Sequence, residues 1–280
     1  MAALASYLHA RARGGRWLLR IDDLDPERCK RHFARDIAAM LERLELHWDG
    51  PVMYQSARAA QYREALIELV RHGRLYFCSC SRLDIQKRSL PMGLDGSAVY
   101  DGLCRGQVMN SMDESQGRKL HFRLDGAFSC SDAVCGVFAG DHSRDTGDFA
   151  VTERSGRATY HLATVVDDHA SAVTEVVRGA DLLGCTPKQQ ALYAALDWTA
   201  PSYAHVPLVR AADGTKLSKQ TGAGALMGDP ARGEIWDALS VLGQQPPAEL
   251  RGAAHSELLA WALPHWSLAR VPVSSWTQRP

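Results

Sequence analysis

The segment from Trp17 to Ile21 constrains the fold of this 280-residue chain more than any other. Its apolar residues are typical of a buried strand, and Asp22 and Asp23 follow it directly. Open parallel sheets place ligand-binding groups at the carboxyl ends of their strands. The sequence therefore predicts an α/β fold in which this strand carries two carboxylates into a ligand-binding crevice.

Helical patterns surround this strand. Residues 2–13 carry Ala and Leu at helical spacing, and Gly14 and Gly15 stop the segment in the manner of a C-cap. Residues 31–45 and 57–72 have Leu, Ile and Met on one face and Arg and Glu on the other, which is typical of amphipathic helices. We therefore expect the chain to open inside a helix and to return to helices after the first strand.

A different composition follows in residues 76–145, which are rich in Ser, Gly and Asp and contain most of the cysteines. We interpret this region as turns and short strands inserted between two halves of a sheet. Strand patterns resume near 148–153, 158–166 and 173–178. Thr186, with Pro187 at the first helical position, predicts the start of a helix. Asp229-Pro230 predicts another, before Trp-rich helical segments end the chain.

Charge and hydropathy narrow the class of protein. Lys plus Arg and Asp plus Glu both number 32, so the chain as a whole does not attract nucleic acid, and an RNA contact requires a local basic patch. No apolar run approaches the roughly 18 residues of a membrane span, and no charged-then-apolar leader is present. We expect a soluble, cytoplasmic, monomeric protein without a membrane partner.

The seven cysteines are an odd number and are better explained as reduced thiols and metal ligands than as a disulfide framework. Cys78, Cys80 and Cys104 offer three thiolates, and Tyr100 adds a phenol, in two short segments that can close a tetrahedral zinc shell. Cys-x-Cys spacing is less diagnostic than Cys-x-x-Cys, and His is a commoner ligand than Tyr. Three buried thiols and a core tyrosine are therefore the alternative. The other cysteines are interpreted as small buried or half-buried residues: Cys29, Cys130, Cys135 and Cys185.

A loop with two lysines, called the lysine loop below, spans Gly214-Thr215-Lys216-Leu217-Ser218-Lys219-Gln220. Its glycine allows a sharp bend, and ammonium groups three residues apart can converge on the charge that develops on nucleotide phosphates during displacement. The same pattern occurs in solvated surface loops. By itself the lysine loop therefore leaves both a phosphate clamp and a surface loop open.

Three more blocks precede the lysine loop, at Trp17–Arg28, Tyr160–His169 and Val176–Leu183. In their order and spacing, the four blocks resemble the glutamyl branch of the class I aminoacyl-tRNA synthetases, from residue 1 to about residue 230. Within that branch, the chain is most similar to the short glutamyl-Q enzymes, which attach glutamate to queuosine in an anticodon. The resemblance implies a Rossmann-like parallel sheet with a zinc-containing insertion and a short helical C-terminus.

The resemblance also implies a division of the chain and its cofactors. Residues 1–75 and 146–228 would form the two halves of the catalytic domain, 76–145 the zinc-binding insertion and 229–280 a helical C-terminal segment. One structural zinc ion would have four ligands, because the glutamyl-Q enzymes carry the same arrangement: Cys78, Cys80, Tyr100 and Cys104. ATP, with Mg²⁺, would be bound by three residues of the lysine loop, of which the two lysines steady the leaving phosphates: Lys216, Ser218 and Lys219.

The amino-acid site follows from the chemistry of glutamate, whose ammonium and two carboxylates call for an acid and preferably an arginine. The resemblance implies that Asp22 receives the ammonium, while Tyr160 and Arg178 bind carboxylate and neighbouring groups. The family more often has glutamate where this chain has Asp22, so we expect that contact to be bridged by water or taken by Asp23. From the residues alone, the two aspartates could instead cap a turn, Tyr160 could be a core residue, and Arg178 could pair with Asp181.

Asp167, Asp168 and His169 are predicted to form an acid-rich strand end that faces the same crevice. A hydrolytic dyad or a metal site is disfavoured here, because no Gly-x-Ser-x-Gly elbow or His-Glu-x-x-His motif accompanies them. The resemblance implies that this block shapes the nucleotide and acceptor pocket. His169 is interpreted as a hydrogen-bonded strand-end residue and not as a catalyst.

Family members begin with a strand, an Arg-Phe-Ala-Pro-Ser-Pro-like run and a His-x-Gly-His-like signature at the N-terminus of the first helix. This chain begins with Met1-Ala2-Ala3-Leu4, which aligns just past that signature. The omitted segment would carry a central strand, an arginine for the substrate and the helix N-terminus that holds ATP. We expect a start codon assigned too late, and a catalytically impaired fragment is the alternative.

These assignments predict an enzyme that converts glutamate and ATP to glutamyl adenylate and passes the glutamyl group to queuosine at the wobble position of tRNA(Asp). The expected partners are glutamate, ATP and the anticodon stem-loop of that tRNA. A fragment of a glutamyl-tRNA synthetase acting on tRNA(Glu) is disfavoured, because about sixty residues follow Gln220, too few for helical anticodon-binding domains. A second alternative is a non-catalytic, zinc-stabilised RNA-binding remnant, which would bind tRNA or zinc without forming an adenylate.

Overall fold

The computed structural model describes residues 1–88, 90–107, 109, 111–112, 117–208 and 233–273. The helices in this part of the chain are α1 Ala2–Ala12, α2 Arg31–Arg43, α3 Ala59–Arg71, α4 Arg82–Lys87, α5 His142–Asp145, α6 Tyr160–Ala170, α7 Thr186–Ala195, α8 Glu234–Val241 and α9 His255–His265. The strands are β1 Arg20–Ile21, β2 Met53–Tyr54, β3 Leu75–Cys78, β4 Lys119–Phe122, β5 Ala127–Asp132, β6 Gly136–Asp141, β7 Phe149–Ala150, β8 Glu175–Gly179 and β9 Ser202–Val206.

Within the described chain, these strands form three small sheets rather than one continuous parallel sheet. β1 and β2 pair in parallel, whereas β3, β4 and β7 form an antiparallel sheet. The largest sheet has the order β6-β5-β9-β8, in which β5, β9 and β8 run parallel and β6 runs antiparallel to β5. Residues 133–135 alone join β5 to β6, and so short a link permits only an antiparallel pair. The expected parallel arrangement is confirmed for β1-β2 and β5-β9-β8. The antiparallel pairs β3-β4, β4-β7 and β5-β6 each involve a short strand within residues 76–145, for which no parallel pairing was predicted.

The first helices and strand lie where the sequence predicts them. α1 ends at Ala12, and Gly14 then adopts a positive φ of 67°, in agreement with the expected C-cap. α2 and α3 match the two predicted amphipathic helices. β1 is shorter than predicted, because Trp17 forms its backbone hydrogen bonds with Asp49, which belongs to no strand. The Trp17 N–H donates to the Asp49 carboxylate at 2.8 Å, and the Trp17 carbonyl accepts from the Asp49 N–H at 2.7 Å.

The strand predicted over 158–166 is wrong, because most of these residues belong to helix α6. The β-branched run at 164–166 favours a strand, and the surrounding apolar residues show no single helical face. In the structure α6 packs against α3 and α7 in the largest core, with Leu162, Ala163 and Val165 fully buried. Because residues 162–168 of α6 are buried on every face, the helix lacks the amphipathic period that reveals most helices. Three residues therefore lie in the last turn of this helix rather than at a strand end: Asp167, Asp168 and His169.

The structure confirms some of the elements predicted for the later part of the chain and leaves others untested. β7 and β8 lie where strands are predicted, and α7 begins at Thr186, with Pro187 next and Cys185 as the N-cap residue, one position from the predicted start. β5 and β6 fall within 76–145 but belong to the sheet that contains β8 and β9, and the boundaries of the insertion stay a prediction. The lysine loop and Asp229-Pro230 lie outside the described residues.

The two largest of the hydrophobic cores in the described chain pack most of these helices. The larger core packs α3, α6 and α7 against β3 and β4, with Leu69, Phe122 and Leu192 among its fully buried residues. The second packs α1 against α8 and α9 through Leu8 and Leu239. Of the helices in the described ranges, none combines the length and the apolar character that crossing a membrane would require. The candidate site lies beside the larger core, where α6, α7, β8 and β9 meet.

Candidate active site

Arg178 lies at the centre of the candidate site, on β8 and opposite His205 of β9. Its guanidinium is buried and donates hydrogen bonds to neutral acceptors. These are His205 Nε2 at 2.9 Å, Gln189 Oε1 at 2.8 Å, Thr186 Oγ1 at 3.1 Å and the Leu182 carbonyl at 3.2 Å. Because these partners are neutral, the positive charge stays available for an anionic ligand.

Tyr160 lies within electrostatic reach of both Arg178 and Asp22. Tyr160 is the first residue of α6 and is half-buried. Burial raises the pKa of the Tyr160 hydroxyl; the charge of Arg178 opposes that rise, and the charge of Asp22 adds to it. The structure therefore brings together the three residues that the sequence named for glutamate, and their roles as glutamate ligands stay a prediction.

Asp22 and Asp23 have different surroundings. Asp22 accepts a hydrogen bond from Arg20 Nε at 2.7 Å and keeps 42% of its side chain exposed. Arg20 also binds the buried carboxylate of Asp168, whose pKa is raised by burial. Asp23 accepts from the backbone N–H of Ser56 at 2.8 Å and from its hydroxyl at 2.7 Å, so it fastens the start of a neighbouring turn. Asp22 is thus the acid after β1 that keeps an exposed carboxylate, whereas both oxygens of Asp23 are bound to Ser56.

Asp132 and His205 are site residues that the sequence analysis missed. His205 is fully buried, and its Nδ1 lies 2.5 Å from Asp132 Oδ2, while its Nε2 receives the N–H of Arg178. Burial lowers the pKa of His205, which keeps the imidazole neutral. Burial alone would raise the pKa of Asp132, but the hydrogen bonds from His205 and from backbone N–H groups lower it overall. A polar histidine within the apolar strand β9 was the available sequence signal.

Several buried polar atoms on α6 and α7 have no hydrogen-bond partner within the described chain. They include Gln189 Nε2 and Tyr193 Oη, which lie one turn apart on α7, and Thr164 Oγ1 on α6. The Gln189 amide is oriented by Arg178, which donates to its oxygen and leaves its nitrogen as an unsatisfied donor. Each such group costs about 1–3 kcal/mol when it is left without a partner. A polar ligand bound at Arg178 would satisfy the Gln189 donor, because Arg178 contacts the same amide group.

The acidic block of α6 is divided between two roles. Asp168 binds Arg20 at the candidate site. Asp167 is fully buried and accepts hydrogen bonds from Gln55, Arg58 and Tyr62, which ties α6 to α3 and the turn before it. The ring of His169 stacks on Trp198, with ring centres 3.9 Å apart, so His169 is not the hydrogen-bonded strand-end residue that the sequence suggested.

The cysteine cluster forms a compact set of metal-ligating atoms. The Sγ atoms of Cys78, Cys80 and Cys104 lie within 4.8 Å of one another, and all three residues are buried. Tyr100 Oη lies 3.3 Å from Cys80 Sγ and 3.6 Å from Cys78 Sγ. Burial raises the pKa of the Cys78 thiol to about 11. Burial alone would also raise the pKa of Cys104, but hydrogen bonds with Tyr100, Ser79 and Cys80 outweigh it and lower that pKa to about 7. The four predicted zinc ligands are therefore adjacent in space.

A second group of metal-ligating side chains comprises Asp95, His161 and Cys185. Lys188 Nζ lies 2.6 Å from Asp95 Oδ2 and 2.9 Å from Ser97 Oγ, and the Lys188 side chain is almost fully buried. An ammonium group already occupies the position that a cation would take, so this group does not fit a metal. The Lys188–Asp95 pair instead fastens the segment around residue 95 to α7.

A cavity of about 670 Å³ opens beside Asp23. Its apolar surface is formed largely by Leu24, Pro26, Leu66, Met112, Leu120 and Ala158. Three arginines also line it: Arg63 on α3, Arg118 before β4 and Arg157 before α6. The Arg118 guanidinium lies 4.6 Å from the centre of the Phe77 ring, while Arg157 pairs with Glu153 at 2.5 Å. The sequence analysis did not anticipate this local concentration of arginine.

A protein family and several of its named members match most or all of this chain. Residues 1–233 match the family described as tRNA synthetases class I (E and Q), catalytic domain. A glutamyl-Q tRNA(Asp) synthetase from Chromobacterium violaceum is 45% identical over 271 residues, which cover 96% of this chain and 89% of that protein. Another, from Thiobacillus denitrificans, is 42% identical over 284 residues, covering 100% of this chain and 92% of the relative.

Solved structures share the fold. The glutamate-tRNA synthetase from Elizabethkingia anophelis superposes with a TM-score of 0.76 at 23% identity, over 98% of this chain and 63% of that one. A glutamate tRNA ligase from Elizabethkingia meningosepticum, solved in complex with its amino acid, has the same TM-score, and this chain spans 62% of it. The expected class I synthetase fold, with mixed α/β sheets, is thereby confirmed. The chain is an enzyme of the ligase class and belongs to the family of class I tRNA synthetases (E and Q).

Proposed function

We propose that this enzyme activates glutamate with ATP and transfers the glutamyl group to queuosine in the anticodon of tRNA(Asp). One observation carries the glutamate part of the proposal: Arg178 is a buried cation held by neutral acceptors. The charges of Arg178 and of the exposed Asp22 carboxylate both act on Tyr160. Within the described chain, the four hydrogen bonds of Arg178 leave one guanidinium N–H for a ligand. The names of the relatives support the RNA part.

The proposed roles follow from the geometry. A glutamate carboxylate accepts from the remaining N–H of Arg178 and from Gln189 Nε2, while Asp22 receives the ammonium group. An oxygen of the α-carboxylate then attacks the α-phosphorus of ATP, pyrophosphate leaves, and glutamyl adenylate forms. A hydroxyl of queuosine attacks the acyl carbon, AMP leaves, and a glutamyl ester is produced. Because the protein forms no covalent bond, positioning and charge stabilisation supply the rate.

Lys216, Ser218 and Lys219 are proposed to bind ATP, and the two lysines to stabilise the charge on the leaving pyrophosphate. They lie outside the described residues, so this part of the proposal rests on the sequence motif. Mg²⁺ is proposed to accompany the nucleotide phosphates, as oxygen-ligated magnesium commonly does.

A structural zinc ion is proposed at the cysteine cluster. Tetrahedral zinc, with Zn–S bonds of about 2.3 Å, separates two sulfurs by about 3.8 Å. Cys80 Sγ and Cys104 Sγ lie 3.6 Å apart, close to that spacing. The phenol of Tyr100 would supply the fourth ligand. Four protein ligands would leave no open position on the metal, so a zinc ion here would stabilise the fold around β3 rather than take part in catalysis.

Substituting Cys104→Ser is expected to reduce bound zinc from about one ion per chain to nearly none, because a hydroxyl is a far weaker zinc ligand than a thiolate. Metal content after dialysis, determined by mass spectrometry, measures this. The matched control is Cys29→Ser, since Cys29 lies outside the cluster. Equal zinc content in the two variants would contradict a site at Cys104.

The cavity beside Asp23 is proposed to receive the anticodon nucleotides. It offers apolar surface for a base and arginines for phosphates, which a chain with 32 basic and 32 acidic residues needs at a local site. Arg63 on α3 and Arg118 before β4 are the residues to test, because both line this cavity.

The variants Arg63→Gln and Arg118→Gln are expected to weaken tRNA(Asp) binding and to lower the slope of log K against log salt concentration by about one each. Fluorescence anisotropy at several salt concentrations measures both quantities. Arg71→Gln is the control on the same helix as Arg63, because Arg71 is 70% exposed and pairs with Glu68. An unchanged salt slope in both cavity variants would rule out RNA phosphate contacts there.

Glutamate-dependent exchange of pyrophosphate into ATP, without tRNA, tests the activation step on this chain and on a form extended upstream of Met1. We expect exchange with glutamate and none with glutamine, which lacks the second carboxylate. Transfer is then measured with radiolabelled glutamate on queuosine-containing tRNA(Asp) and on tRNA(Glu). Labelling of tRNA(Glu) alone would favour the glutamyl-tRNA synthetase alternative, and zinc or tRNA binding without exchange in either form would favour the non-catalytic alternative.

A further inference from the structure

Three buried side chains form a continuous hydrogen-bonded line across the largest sheet. Asp132 ends β5, His205 lies on β9 and Arg178 lies on β8, and their exposed fractions are 5%, 0% and 9%. Asp132 Oδ2 lies 2.5 Å from His205 Nδ1, and His205 Nε2 lies 2.9 Å from Arg178 Nε. The parallel register, which pairs Arg178 with His205, brings these residues together.

The hydrogen-bonding chemistry of Asp132 and Arg178 determines which ring nitrogen of His205 carries the proton. An arginine Nε carries a hydrogen and can only donate, so His205 Nε2 has to accept. The proton of the neutral ring is therefore on Nδ1, where the Asp132 carboxylate accepts it. Burial lowers the pKa of His205 and thus opposes a second proton on the ring. The Nδ1–H tautomer of His205 fits both Asp132 and Arg178, whereas the Nε2–H tautomer would direct an N–H against the N–H of Arg178. The Leu182 carbonyl near the ring already accepts from Arg178 Nη2.

We propose that Asp132 is a positioning residue that holds His205 in its Nδ1–H tautomer, and that this tautomer orients Arg178 for the carboxylate of an acidic substrate. The inference rests on the proposed function, because it takes Arg178 as the residue that binds glutamate. Asp132 touches no substrate and acts through His205. The same logic, an aspartate that selects a histidine tautomer, operates in hydrolase triads, where the histidine moves a proton; here it accepts a fixed hydrogen bond.

The other oxygen of Asp132 makes a sharp test possible. Asp132 Oδ1 accepts from the backbone N–H groups of Val134 at 2.9 Å, Cys135 at 2.8 Å and His205 at 3.2 Å. An asparagine at this position retains these three bonds through its amide oxygen, so its NH₂ group has to face His205 Nδ1. The ring must then accept at Nδ1 and carry its proton on Nε2, where it meets the N–H of Arg178. Asp132→Asn therefore preserves the shape of the side chain at position 132 and reverses the tautomer of His205.

The experiment therefore compares wild-type protein with Asp132→Asn in two measurements. Long-range ¹H–¹⁵N spectra of histidine-labelled protein report which ring nitrogen of His205 is protonated, with His205→Asn identifying the signal. Calorimetric titrations with glutamate and with α,β-methylene-ATP, whose α–β bond cannot be cleaved, report affinity. We expect the proton to move from Nδ1 to Nε2, glutamate affinity to fall about 10- to 100-fold, as for a lost hydrogen bond to a charged group, and the affinity for α,β-methylene-ATP to stay unchanged.

Two further variants separate positioning from loss of structure. His205→Asn places an amide nitrogen where Nδ1 lies, so it retains the bond to Asp132 and loses the one to Arg178. We expect it to weaken glutamate binding as Asp132→Asn does. Asp141→Asn is the control, because Asp141 accepts from the backbone N–H and hydroxyl of Ser143 at the end of β6 and should leave both affinities unchanged.

The outcomes distinguish the inference from the function on which it rests. An Nε2–H tautomer in the wild-type protein, or wild-type glutamate affinity in both Asp132→Asn and His205→Asn, would overturn the inference and leave glutamate activation standing. Wild-type protein that binds no glutamate, in this form and in the upstream-extended form, would overturn the proposed function, and the positioning role would fall with it. A reversed tautomer together with selective loss of glutamate affinity supports the inference.

Discussion

Replacing Arg58 by Met is expected to lower the free energy of unfolding by about 3–5 kcal/mol. Asp167 is fully buried in α6, and its carboxylate accepts from Arg58 Nε at 2.5 Å, Gln55 Nε2 at 2.9 Å and Tyr62 Oη at 2.8 Å. Without the guanidinium, this carboxylate keeps the neutral donors Gln55 and Tyr62 but loses its positive partner. A buried charge deprived of its partner is among the most destabilising changes a single substitution can make.

Urea unfolding followed by circular dichroism measures the effect of Arg58→Met. The control is Arg71→Met on α3, whose side chain is 70% exposed and pairs with Glu68, itself 41% exposed. Exposed pairs of this kind contribute at most about 1 kcal/mol. Similar free energies of unfolding for the two variants would mean that the Arg58–Asp167 pair does not stabilise the attachment of α6.

Replacing Arg178 by Lys is expected to lower kcat/KM for glutamate about 100-fold or more in pyrophosphate exchange, with the KM for ATP nearly unchanged. Lysine keeps the positive charge, but its single ammonium group cannot replace four bonds that diverge to His205, Gln189, Thr186 and Leu182. The charge would therefore move away from the place where a substrate carboxylate is proposed to bind. A displacement of about 1 Å at such a site can cost a factor of about 100.

Exchange rates at varied glutamate and at varied ATP separate the two substrates for Arg178→Lys. Arg123→Lys is the matched control, because Arg123 is 52% exposed and pairs with Asp125 away from the site. If Arg178→Lys kept the glutamate dependence of the wild-type protein, charge alone would suffice, and the role proposed for the guanidinium geometry would be wrong.

Local sequence patterns were sufficient to predict those elements that a single residue type or a single hydrophobic period specifies. The C-cap at Gly14 followed from a glycine that can adopt a positive φ, and α2 and α3 followed from apolar residues on one face. α6 could not be identified in this way, because it is buried on all sides and carries a β-branched run. Its helical state follows from packing against α3 and α7, which local propensity does not encode.

The candidate site divides in the same manner. The sequence by itself determined the family, because four motifs stand in a characteristic order and spacing. The same motifs predicted the acid after the first strand, Tyr160, Arg178 and the cysteine cluster as site residues, and these roles stay predictions. Only the tertiary structure decided that Asp132 and His205 join Arg178. These residues lie far apart along the chain, and they meet because β5, β9 and β8 pair in one register. Strand pairing brings distant positions within hydrogen-bonding distance, and no periodicity within a single segment contains that information.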